Sequence, residues 1–341
     1  MTSPCPTRPA APPLTTRSPH PVDDADPLIS VVIAARNAAA TLDQTLWSVR
    51  RQSYPRWELI VVDDGSIDGT GEVVRRHQRE DPRIRQIAGA AQGVSAARNL
   101  GAAHAEGSLL AFLDADDLWL PGKLQAHMRF LRTHAKVGLA FDRVRFVDAN
   151  ARPTPVQSTR RVNHLTTVHL LRENPACTAS TLVVRKRVFD VLGGFDPDLR
   201  HAEDLELMLR ISASPPWRVQ GLGEVHTHYR TNAQGASADL QRMQDGWDAV
   251  LAKVRHYAPQ LSGHDVAAAR AVHLRYLARR ALRLRLPAPA GLHWWRSAWR
   301  ASPHTLLEQP LRSLGTLAAL LALGAWQQLR ATFPSLFVHT P

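Results

Sequence analysis

Short apolar runs and helical patterns alternate along residues 28–113 of the chain. The runs are rich in valine, isoleucine and leucine, and the segments between them repeat apolar residues every three or four positions. Such alternation predicts βαβ units, and therefore a mostly parallel sheet with helices on both faces. The predicted strands are residues 28–34, 57–62, 83–88 and 108–113, and the predicted helices are residues 39–52, 68–79 and 95–105.

The pattern loosens after about residue 137. The predicted elements are strands at residues 137–141, 180–184, 217–220 and 225–230 and a short helix at residues 202–212. Beyond residue 240, helical spacing predicts helices that are interrupted at Pro287, Pro289, Pro303 and Pro310. The sequence therefore predicts one α/β domain over residues 28–240 and a helical region over residues 241–341.

The composition is that of an ordinary globular protein, because 44 % of the residues are apolar. Residues 1–27 are polar and rich in proline, with no secretory signal, and we predict a disordered tail there. The longest apolar run, residues 314–326, is too short to span a bilayer. Cys5 and Cys177 lie far apart without metal-like spacing, which fits a reducing compartment and predicts a cytoplasmic protein.

Positive charge is concentrated in the last third of the chain. The formal net charge is +12, and residues 241–341 contribute +9 of it together with five of the nine tryptophans. Within this region, residues 266–286 place alanine and leucine at helical spacing among six arginines. A basic amphipathic helix of this kind is typical of docking to an anionic membrane surface, and it is also compatible with packing on the preceding domain.

A carboxylate cluster follows the fourth predicted strand, at Asp114, Asp116 and Asp117. Residues two apart in an extended chain point the same way, so Asp114 and Asp116 can face one ligand while Ala115 packs behind them. A divalent cation that bridges carboxylate and diphosphate oxygens suits such a pair. A solvated turn is the alternative for an isolated Asp-x-Asp triplet, and the apolar strand before it favours the binding site.

Polar residues also follow the first two strands. Arg36 and Asn37 come after the first strand, and Asp63 and Asp64 come after the second. Ligands of parallel α/β sheets bind beyond the carboxyl ends of the strands, where a carboxylate can accept a base N–H or a ribose hydroxyl. Polar residues at positions 66–70 can cap the following helix, so Asp63 and Asp64 are not needed for that purpose.

Three later segments carry further candidates. Residues 93–101 predict a helix of small residues that approaches the sheet closely, and its Arg98 either offers a fork to phosphate or is simply exposed. Glu203 and Asp204 begin a predicted helix, where acids compensate the helix dipole or supply a base for a hydroxyl group. Residues 226–230, which end in Arg230, either contact a metal ion or phosphate or form a surface strand.

Together and in this order, the motifs resemble those of the family 2 glycosyltransferases of GT-A fold. The match covers about residues 28–235 and lies in residues 30–37, 63–66, 97–101, 114–117, 193–196, 203–204 and 229–230. The resemblance implies a Rossmann-like GT-A domain and an inverting enzyme that transfers a sugar from a nucleotide-diphosphate sugar to an acceptor hydroxyl. It also implies a glycan or lipid-linked acceptor in the synthesis of cell-surface polysaccharide, lipopolysaccharide or glycolipid.

The resemblance places the nucleotide beside the first two strands. It implies that Ala34, Arg36 and Asp64 line the nucleobase pocket, and Asn37 and Asp63 belong to the same predicted donor site. Ala34 stands where the family often has Pro or Thr, and Arg36 stands where it often has Tyr.

The resemblance places the reaction beside the acidic cluster. It implies that Arg98 lies near the donor ribose and diphosphate, that Asp114 lies near the ribose, and that Asp116 binds Mn²⁺ or Mg²⁺. It makes Asp204 the base that deprotonates the acceptor, and Arg230 completes the predicted donor site. The implied mechanism is a single displacement with inversion, in which the metal ion stabilises the leaving diphosphate.

Other classes of protein fit the sequence less well. A Rossmann dehydrogenase needs a glycine-rich turn after the first strand, and residues 34–38 contain no glycine. A processive polysaccharide synthase needs spanning helices and a Gln-x-x-Arg-Trp motif, and the sequence has neither. The basic C-terminal region lacks a base-reading motif, so no nucleic-acid partner is expected, although a basic nucleic-acid-binding protein stays an alternative. A catalytically inactive homologue that binds nucleotide sugars is the other alternative, and the complete set of acids argues against it.

Overall fold

A nine-stranded mixed sheet lies at the centre of this computed structural model, which describes residues 26–231 and 239–332. The strands are β1 (Ile29–Ala35), β2 (Trp57–Asp63), β3 (Ile84–Ala88), β4 (Leu109–Asp114), β5 (Leu118–Trp119), β6 (Val137–Val147), β7 (Pro153–Gln157), β8 (Val183–Arg185) and β9 (Arg218–Arg230). The helices are α1 (Ala39–Arg50), α2 (Thr70–Glu80), α3 (Val94–Ala103), α4 (Lys123–Thr133), α5 (Thr167–Arg172), α6 (Lys186–Leu192), α7 (Glu203–Ser212), α8 (Leu240–Tyr257), α9 (Gly263–Arg283), α10 (Ala288–Ala301), α11 (Pro303–Leu307) and α12 (Pro310–Thr332).

The sheet has a parallel half and a mixed half. Its order is β3-β2-β1-β4-β8-β6-β9-β5, with β7 paired to β6. The pairings among β3, β2, β1 and β4 are all parallel, which confirms the βαβ prediction for the first half. In the second half β8 is antiparallel to both of its neighbours, whereas β6 and β9 are parallel. The carboxyl ends of β1, β2 and β4 therefore meet at one edge of the sheet.

Helices cover both faces of the sheet. Alternate residues of β1 point to opposite faces, so Val31 and Ile33 pack in one apolar core and Val32 packs in the other. The first core contains side chains of α1, α2 and α4, and the second contains side chains of α3, α7 and α8. Gly101 lets α3 lie directly on the sheet, because a Cβ at this position would lie 2.5 Å from Val32 Cγ1.

Some sequence predictions about element boundaries were wrong. The strand predicted at residues 180–184 begins only at Val183, after a 3₁₀ helix at Ala179–Thr181. The two closing strands predicted at residues 217–220 and 225–230 are one strand, β9, whose pairing with β6 continues through irregularities in the register. Gly221 interrupts the apolar pattern within this strand. A larger residue does not fit there, because a Cβ would lie 2.6 Å from the ring of Phe141 in β6. Pro289 does not interrupt a helix, since it occupies the first turn of α10, where a missing N–H costs nothing.

The structure can be compared with the predicted limits of the α/β domain at both of its ends. Residues 1–25 of the predicted tail lie outside the described residues, whereas Pro27 is buried and its carbonyl accepts a hydrogen bond from the Tyr54 hydroxyl. The predicted limit at residue 240 falls on the start of α8, but Trp247, Val250 and Val254 of that helix belong to the core beneath the sheet. A separate apolar cluster, formed largely by α9, α10 and α11, follows it.

The apolar face of α9 is buried within the protein. Ala271, Leu274, Leu277 and Ala278 have at most 5 % of their surface exposed, because α10 and its neighbours pack on them. The prediction that residues 266–286 present this face to a membrane is therefore wrong, since packing already removes the face from solvent. None of the helices in the described part of the chain is long and apolar enough to cross a bilayer.

The helix α12 has an apolar face in solvent instead. Leu311, Leu314, Leu321, Trp326 and Leu329 are each between 46 % and 90 % exposed. At 100° per residue they lie on the side of the helix opposite its buried residues. We call this surface the outer face of α12.

Candidate active site

Five of the predicted site residues line one cavity. Its volume is about 840 Å³, and Arg98, Asp114, Asp116, Asp204 and Arg230 are among its lining residues. They come from α3, from the end of β4 and the turn after it, from the first turn of α7 and from the end of β9. The fold thus brings together side chains that lie up to 132 positions apart in the sequence.

Arg98 joins two acids at the floor of this cavity. Its side chain is only 4 % exposed and donates hydrogen bonds to Asp114 Oδ1 at 2.5 Å and to Glu203 Oε1 at 2.7 Å. The two carboxylates hold the pKa of Arg98 above its ordinary value despite burial. The alternative of a lone exposed arginine is therefore wrong. Arg98 fixes the end of β4 against the start of α7, and the phosphate contact stays a prediction.

Asp117 is a buried member of the acidic cluster that holds neighbouring segments in place. Its Oδ2 accepts from Ser180 Oγ at 2.6 Å, and its Oδ1 accepts from the backbone N–H of Arg230 at 2.8 Å. Burial, and then the charges of Asp114 and Asp116, raise the pKa of Asp117 well above its ordinary value. It therefore ties the acidic turn to β9 and to the segment before β8.

Asp116 presents the one carboxylate of this cluster that receives no hydrogen bond from another residue in the described part of the chain. Burial, and then repulsion by Asp114, raise its pKa to about 6. The Asp114 carboxylate is already occupied, because Thr178 Oγ1 donates to its second oxygen at 2.9 Å. Asp116 is therefore the carboxylate of this cluster whose oxygens are most open to a cation.

The donor set fits a cation that is shared with a ligand. Among residues 26–231 and 239–332, no three His, Cys, Asp or Glu side chains come close enough together to form a metal site of their own. Mg²⁺ in proteins is often held by one or two carboxylates together with substrate phosphates and water. Asp116 would hold Mn²⁺ or Mg²⁺ in this way, with diphosphate oxygens completing the coordination.

Asp204 lies in the first turn of α7, against the cavity. It is 8 % exposed, its Oδ1 accepts from the N–H of Leu205, and its Oδ2 accepts from Asn174 Nδ2 at 2.8 Å. Burial, and then repulsion by Glu203, raise its pKa to about 6. A carboxylate with this pKa is ionised near neutral pH and is still basic enough to accept a proton from a hydroxyl.

Arg230 has its guanidinium occupied by protein oxygens. It donates to Asp116 O at 2.7 Å, to Gln44 Oε1 at 2.9 Å and to Ala149 O. These bonds hold the backbone of the acidic turn. Contact between Arg230 and a donor substrate therefore stays a prediction.

The predicted nucleobase residues lie beside the cavity rather than in its lining. The register pairs Ala34 with Asp114 on one side and with Val62 on the other, so Asp63 and Asp114 are two strands apart, roughly 10 Å. The Asp64 carboxylate accepts from the N–H groups of the loop before α3, at 3.2 and 2.8 Å. Asp64, which follows β2, therefore holds the loop before α3 in place.

The turn after β1 is held by the turn after β2. Asn37 Oδ1 accepts from the N–H of Ile67 at 2.9 Å, and its own N–H donates to Ser66 Oγ at 3.0 Å. Asp63 Oδ1 accepts from the N–H of Ser66 at 3.0 Å. Arg36 is exposed at the same edge. These residues form a shelf of polar groups next to the acidic cluster.

Sequence reasoning named Glu203 only as an acid beside Asp204 and missed Thr178 and Ser180, although all three residues organise the site. Glu203 pairs with Arg98, and Thr178 and Ser180 donate to the acidic cluster. Their partners lie 63–105 positions away, so no local pattern marks these contacts. The adjacency of Glu203 to Asp204 was the one available signal.

Comparison with known proteins identifies the class of the domain. Residues 30–193 match the family described as glycosyl transferase family 2, which confirms the predicted resemblance over these residues. The chain is 39 % identical over 106 residues to the putative teichuronic acid biosynthesis glycosyltransferase TuaG of Bacillus subtilis, a match that covers 31 % of this chain and 42 % of TuaG. An uncharacterised glycosyltransferase of Nostoc is 35 % identical over 50 % of this chain and 54 % of its own length. The chain thus spans about half the length of these two relatives.

A third relative is matched over more of its length. The UDP-Glc:alpha-D-GlcNAc-diphosphoundecaprenol beta-1,3-glucosyltransferase WfgD of Escherichia coli is 26 % identical over 65 % of this chain and 85 % of WfgD.

Solved structures share the GT-A fold. The mannosyltransferase PcManGT from Pyrobaculum calidifontis, in complex with GDP-Man and Mn²⁺, has a TM-score of 0.58 at 20 % identity, over 90 % of each chain. Residues 1–349 of S. aureus TarS, in complex with UDP-GlcNAc, have a TM-score of 0.52 at 17 % identity, over 84 % of this chain and 91 % of that one. At these identities the likeness concerns the fold, and it confirms the predicted GT-A architecture.

Proposed function

We propose that the protein transfers a sugar from a nucleotide-diphosphate sugar to an acceptor hydroxyl, with inversion at the anomeric carbon. The observation that carries this proposal is the cavity shared by Asp116 and Asp204. One carboxylate there is free to bind a cation and the other is poised as a base, and burial raises the pKa of each to about 6. The match to this family supports the same reaction.

The donor would lie along the carboxyl edge of the parallel half of the sheet. Its base would sit on the shelf formed by Ala34, Arg36, Asn37, Asp63 and Asp64, and its diphosphate would reach the acidic cluster. A bound Mn²⁺ or Mg²⁺ on Asp116 would supply Lewis-acid stabilisation of the leaving diphosphate. PcManGT and TarS, which share the fold, bind GDP-Man with Mn²⁺ and UDP-GlcNAc respectively.

Asp204 would act on the acceptor. Its carboxylate takes the proton of the acceptor hydroxyl, while that oxygen bonds to the anomeric carbon and the bond to the diphosphate breaks. Asn174 and the N–H of Leu205 each donate to one oxygen of this carboxylate, which leaves further lone pairs to accept the proton. Arg98 and Asp114 keep the reacting groups in register, and Arg230 holds the acidic turn.

The acceptor would be a glycan or a lipid-linked molecule in the synthesis of cell-surface polysaccharide, lipopolysaccharide or glycolipid. TuaG and WfgD are named for teichuronic acid biosynthesis and for a diphosphoundecaprenol acceptor. An enzyme with such an acceptor would work in the cytoplasm at the inner face of the plasma membrane.

The outer face of α12 would dock the enzyme on an anionic lipid surface. Its exposed leucines and Trp326 are accompanied on the same helix by the exposed arginines Arg312 and Arg330. Apolar side chains rimmed by arginines complement anionic headgroups over acyl chains, and each arginine near such a surface contributes about 1 kcal/mol.

A thermal-shift and hydrolysis experiment tests the reaction. Nucleotides and nucleotide sugars are added to the full chain with and without Mn²⁺, and a ligand that binds the folded state raises the melting temperature. We expect one nucleotide diphosphate to stabilise the protein only with Mn²⁺, and its sugar to be hydrolysed slowly without acceptor. Asp116→Asn should abolish both effects while the melting temperature without ligand is kept.

The outcomes separate the alternatives. Binding without any hydrolysis or transfer would indicate an inactive sugar-binding homologue. Full turnover of Asp116→Asn with Mn²⁺ as the sole metal ion would show that another residue holds the cation.

Flotation with liposomes tests the docking surface. The protein should bind vesicles that contain anionic lipid, less so at high salt, and a variant with serine at Leu314, Leu321 and Leu329 should bind weakly. Val191→Ser is the matched control, because Val191 is 56 % exposed on α6, away from α12. Absence of binding at low salt would contradict membrane docking and would leave α12 with a role in packing only.

A further inference from the structure

The active-site cavity extends beyond Asp204 to a wall of arginines. Eleven arginines and five carboxylates line the cavity, so its lining is strongly basic even though the catalytic end is acidic. Several of these arginines lie toward the C-terminal helices, and we call six of them the arginine group: Arg160, Arg172, Arg275, Arg279, Arg283 and Arg312.

Helix α9 supplies half of the arginine group. Arg275, Arg279 and Arg283 are spaced by four residues, which places them on one side of the helix, facing the cavity. Like charges at this spacing repel one another. Within the described part of the chain, Arg160 is the member of the group with a carboxylate partner, Glu173 at 3.1 Å.

Arg275 shows the imbalance most clearly. It is 4 % exposed, and its guanidinium donates to the neutral oxygens of Ser313 and Gln309, at 2.9 and 2.7 Å. Burial, and then the charges of Arg312 and Arg279, lower its pKa. A buried cation held by neutral groups is costly, and an anion among these arginines would offset that cost.

A single residue, Asn174, connects the arginine group to the proposed base, Asp204. Asn174 Nδ2 donates to Asp204 Oδ2 at 2.8 Å, and the carbonyl of the same Asn174 accepts from Arg160. An acceptor whose hydroxyl lies at Asp204 would therefore place its neighbouring group among the arginines. The acidic cluster lies on the other side of Arg98, so the two charges are separated within one cavity.

We infer that the arginine group binds a phosphate or diphosphate carried by the acceptor, next to the hydroxyl that receives the sugar. This inference rests on the proposed function, since it identifies the acceptor of the same site. Guanidinium groups match phosphate oxygens with paired hydrogen bonds. Two sources share this chemistry: a sugar joined to a lipid through diphosphate, and a polyol joined to its neighbours by phosphodiesters.

The first test measures anion binding without catalysis. Inorganic pyrophosphate is titrated calorimetrically into the full chain in EDTA, so that no metal ion can attach it to Asp116. We expect binding that falls at least about tenfold when Arg279 and Arg283 are both replaced by Gln, since the charged hydrogen bonds of both side chains to the anion would be lost. Both residues are exposed, so the variant should keep its fold, which nucleotide binding with Mn²⁺ verifies.

The second test compares four acceptors: an uncharged alkyl glycoside, the same sugar as a 1-phosphate, the same sugar as a prenyl diphosphate, and a polyol phosphate oligomer. For the preferred charged acceptor, the Arg279→Gln/Arg283→Gln variant should raise KM at least about tenfold. Its hydrolysis of the donor in water should stay within about twofold. Arg300→Gln is the control, because this exposed arginine does not line the cavity.

The outcomes identify the source or overturn the inference. Preference for the prenyl diphosphate or for the oligomer supports the inference and names the lipid or the polymer. Equal use of the uncharged glycoside, an equal loss of donor hydrolysis in the variant, or pyrophosphate binding that the two substitutions leave unchanged would overturn it. Absence of nucleotide binding and hydrolysis in the unaltered protein would instead overturn the proposed function, and the calorimetric result would still decide the anion site.

Discussion

The two ends of the cavity differ in charge and in how the chain builds them. At the acidic end, burial, and then repulsion by a neighbouring carboxylate, raise the pKa of Asp116 and of Asp204 to about 6. At the arginine end, burial, and then neighbouring arginines, lower the pKa of Arg275. Burial and like charges therefore disfavour the charged groups at each end, and a ligand of opposite charge would offset that cost.

On the proposed function, one cavity would hold two substrates in order. A cation and a nucleotide diphosphate would occupy the acidic end, and a phosphorylated acceptor would occupy the arginine end. Arg98, which is bonded to both Asp114 and Glu203, lies between the acidic cluster and α7 and keeps that end rigid. Substitutions at each end should consequently affect different kinetic constants.

The largest effect should come from Asp204→Asn. We expect kcat to fall by about 10²–10⁴-fold, because a general base contributes about that much to the rate. Donor binding, measured by calorimetry with Mn²⁺, should stay within about twofold, since a base acts in the transition state. Preserved turnover in this variant, with loss of turnover in Glu203→Gln, would assign the base to Glu203.

Asp114→Asn should act mainly on the donor. Asp114 lies beside Asp116 and accepts from Arg98 and Thr178, so the amide would weaken a charged contact while it keeps the shape of the side chain. We expect donor KM to rise by about tenfold or more, as for the loss of a charged hydrogen bond. A large loss of kcat at unchanged donor KM would contradict this role.

Gly101→Ala should destabilise the acidic end through packing. The added Cβ would lie 2.5 Å from Val32 Cγ1 and 3.2 Å from Val62 Cγ2, which forces α3 and its Arg98 away from the sheet. We expect the free energy of unfolding to fall by about 1–3 kcal/mol in urea titrations. Gly223→Ala is the control, with no atom within 4 Å of the new Cβ, and an equal loss there would refute the packing argument.

The smallest effect should be a shift in pH dependence. A base works when ionised, so kcat at saturating Mn²⁺ should fall as pH drops through the Asp204 pKa of about 6. Glu203→Gln removes the repulsion that helps to raise this pKa, so the acid limb should move to lower pH by less than about one unit. Movement to higher pH would show that Glu203 stabilises ionised Asp204 instead.

The parallel half of the fold was predictable because its information is local. Each apolar run between residues 28 and 113 became a strand within two residues of its predicted limits, since buried parallel strands need continuous apolar sequence. The run at 225–230 was separated from 217–220 because Gly221 carries no side chain. The ring of Phe141, which fills that space, lies 80 positions away in the sequence.

The candidate site was predictable in part. Asp114 and Asp116 both line the cavity, as their position at the end of a strand led us to expect. Asp114 ends β4 and residues 115 and 116 form a turn, so the extended chain assumed for their common side is not what brings them together. The partners of Asp117 and Arg98 could not be inferred, because they come from elements brought near by the fold alone. The six arginines of residues 266–286 predicted an amphipathic surface. Tertiary packing, which the sequence pattern does not contain, turns Arg275, Arg279 and Arg283 toward the active-site cavity.

The separate origin of the two ends has an evolutionary consequence. The acidic end is built within residues 98–230, whereas four of the six residues of the arginine group lie between positions 275 and 312. Replacement of α9–α12 by the corresponding helices of a relative would exchange the acceptor wall and leave the strand-end acids untouched. We expect such chimeras to inherit acceptor choice from the helices and donor choice from the sheet, so that each preference can diversify independently.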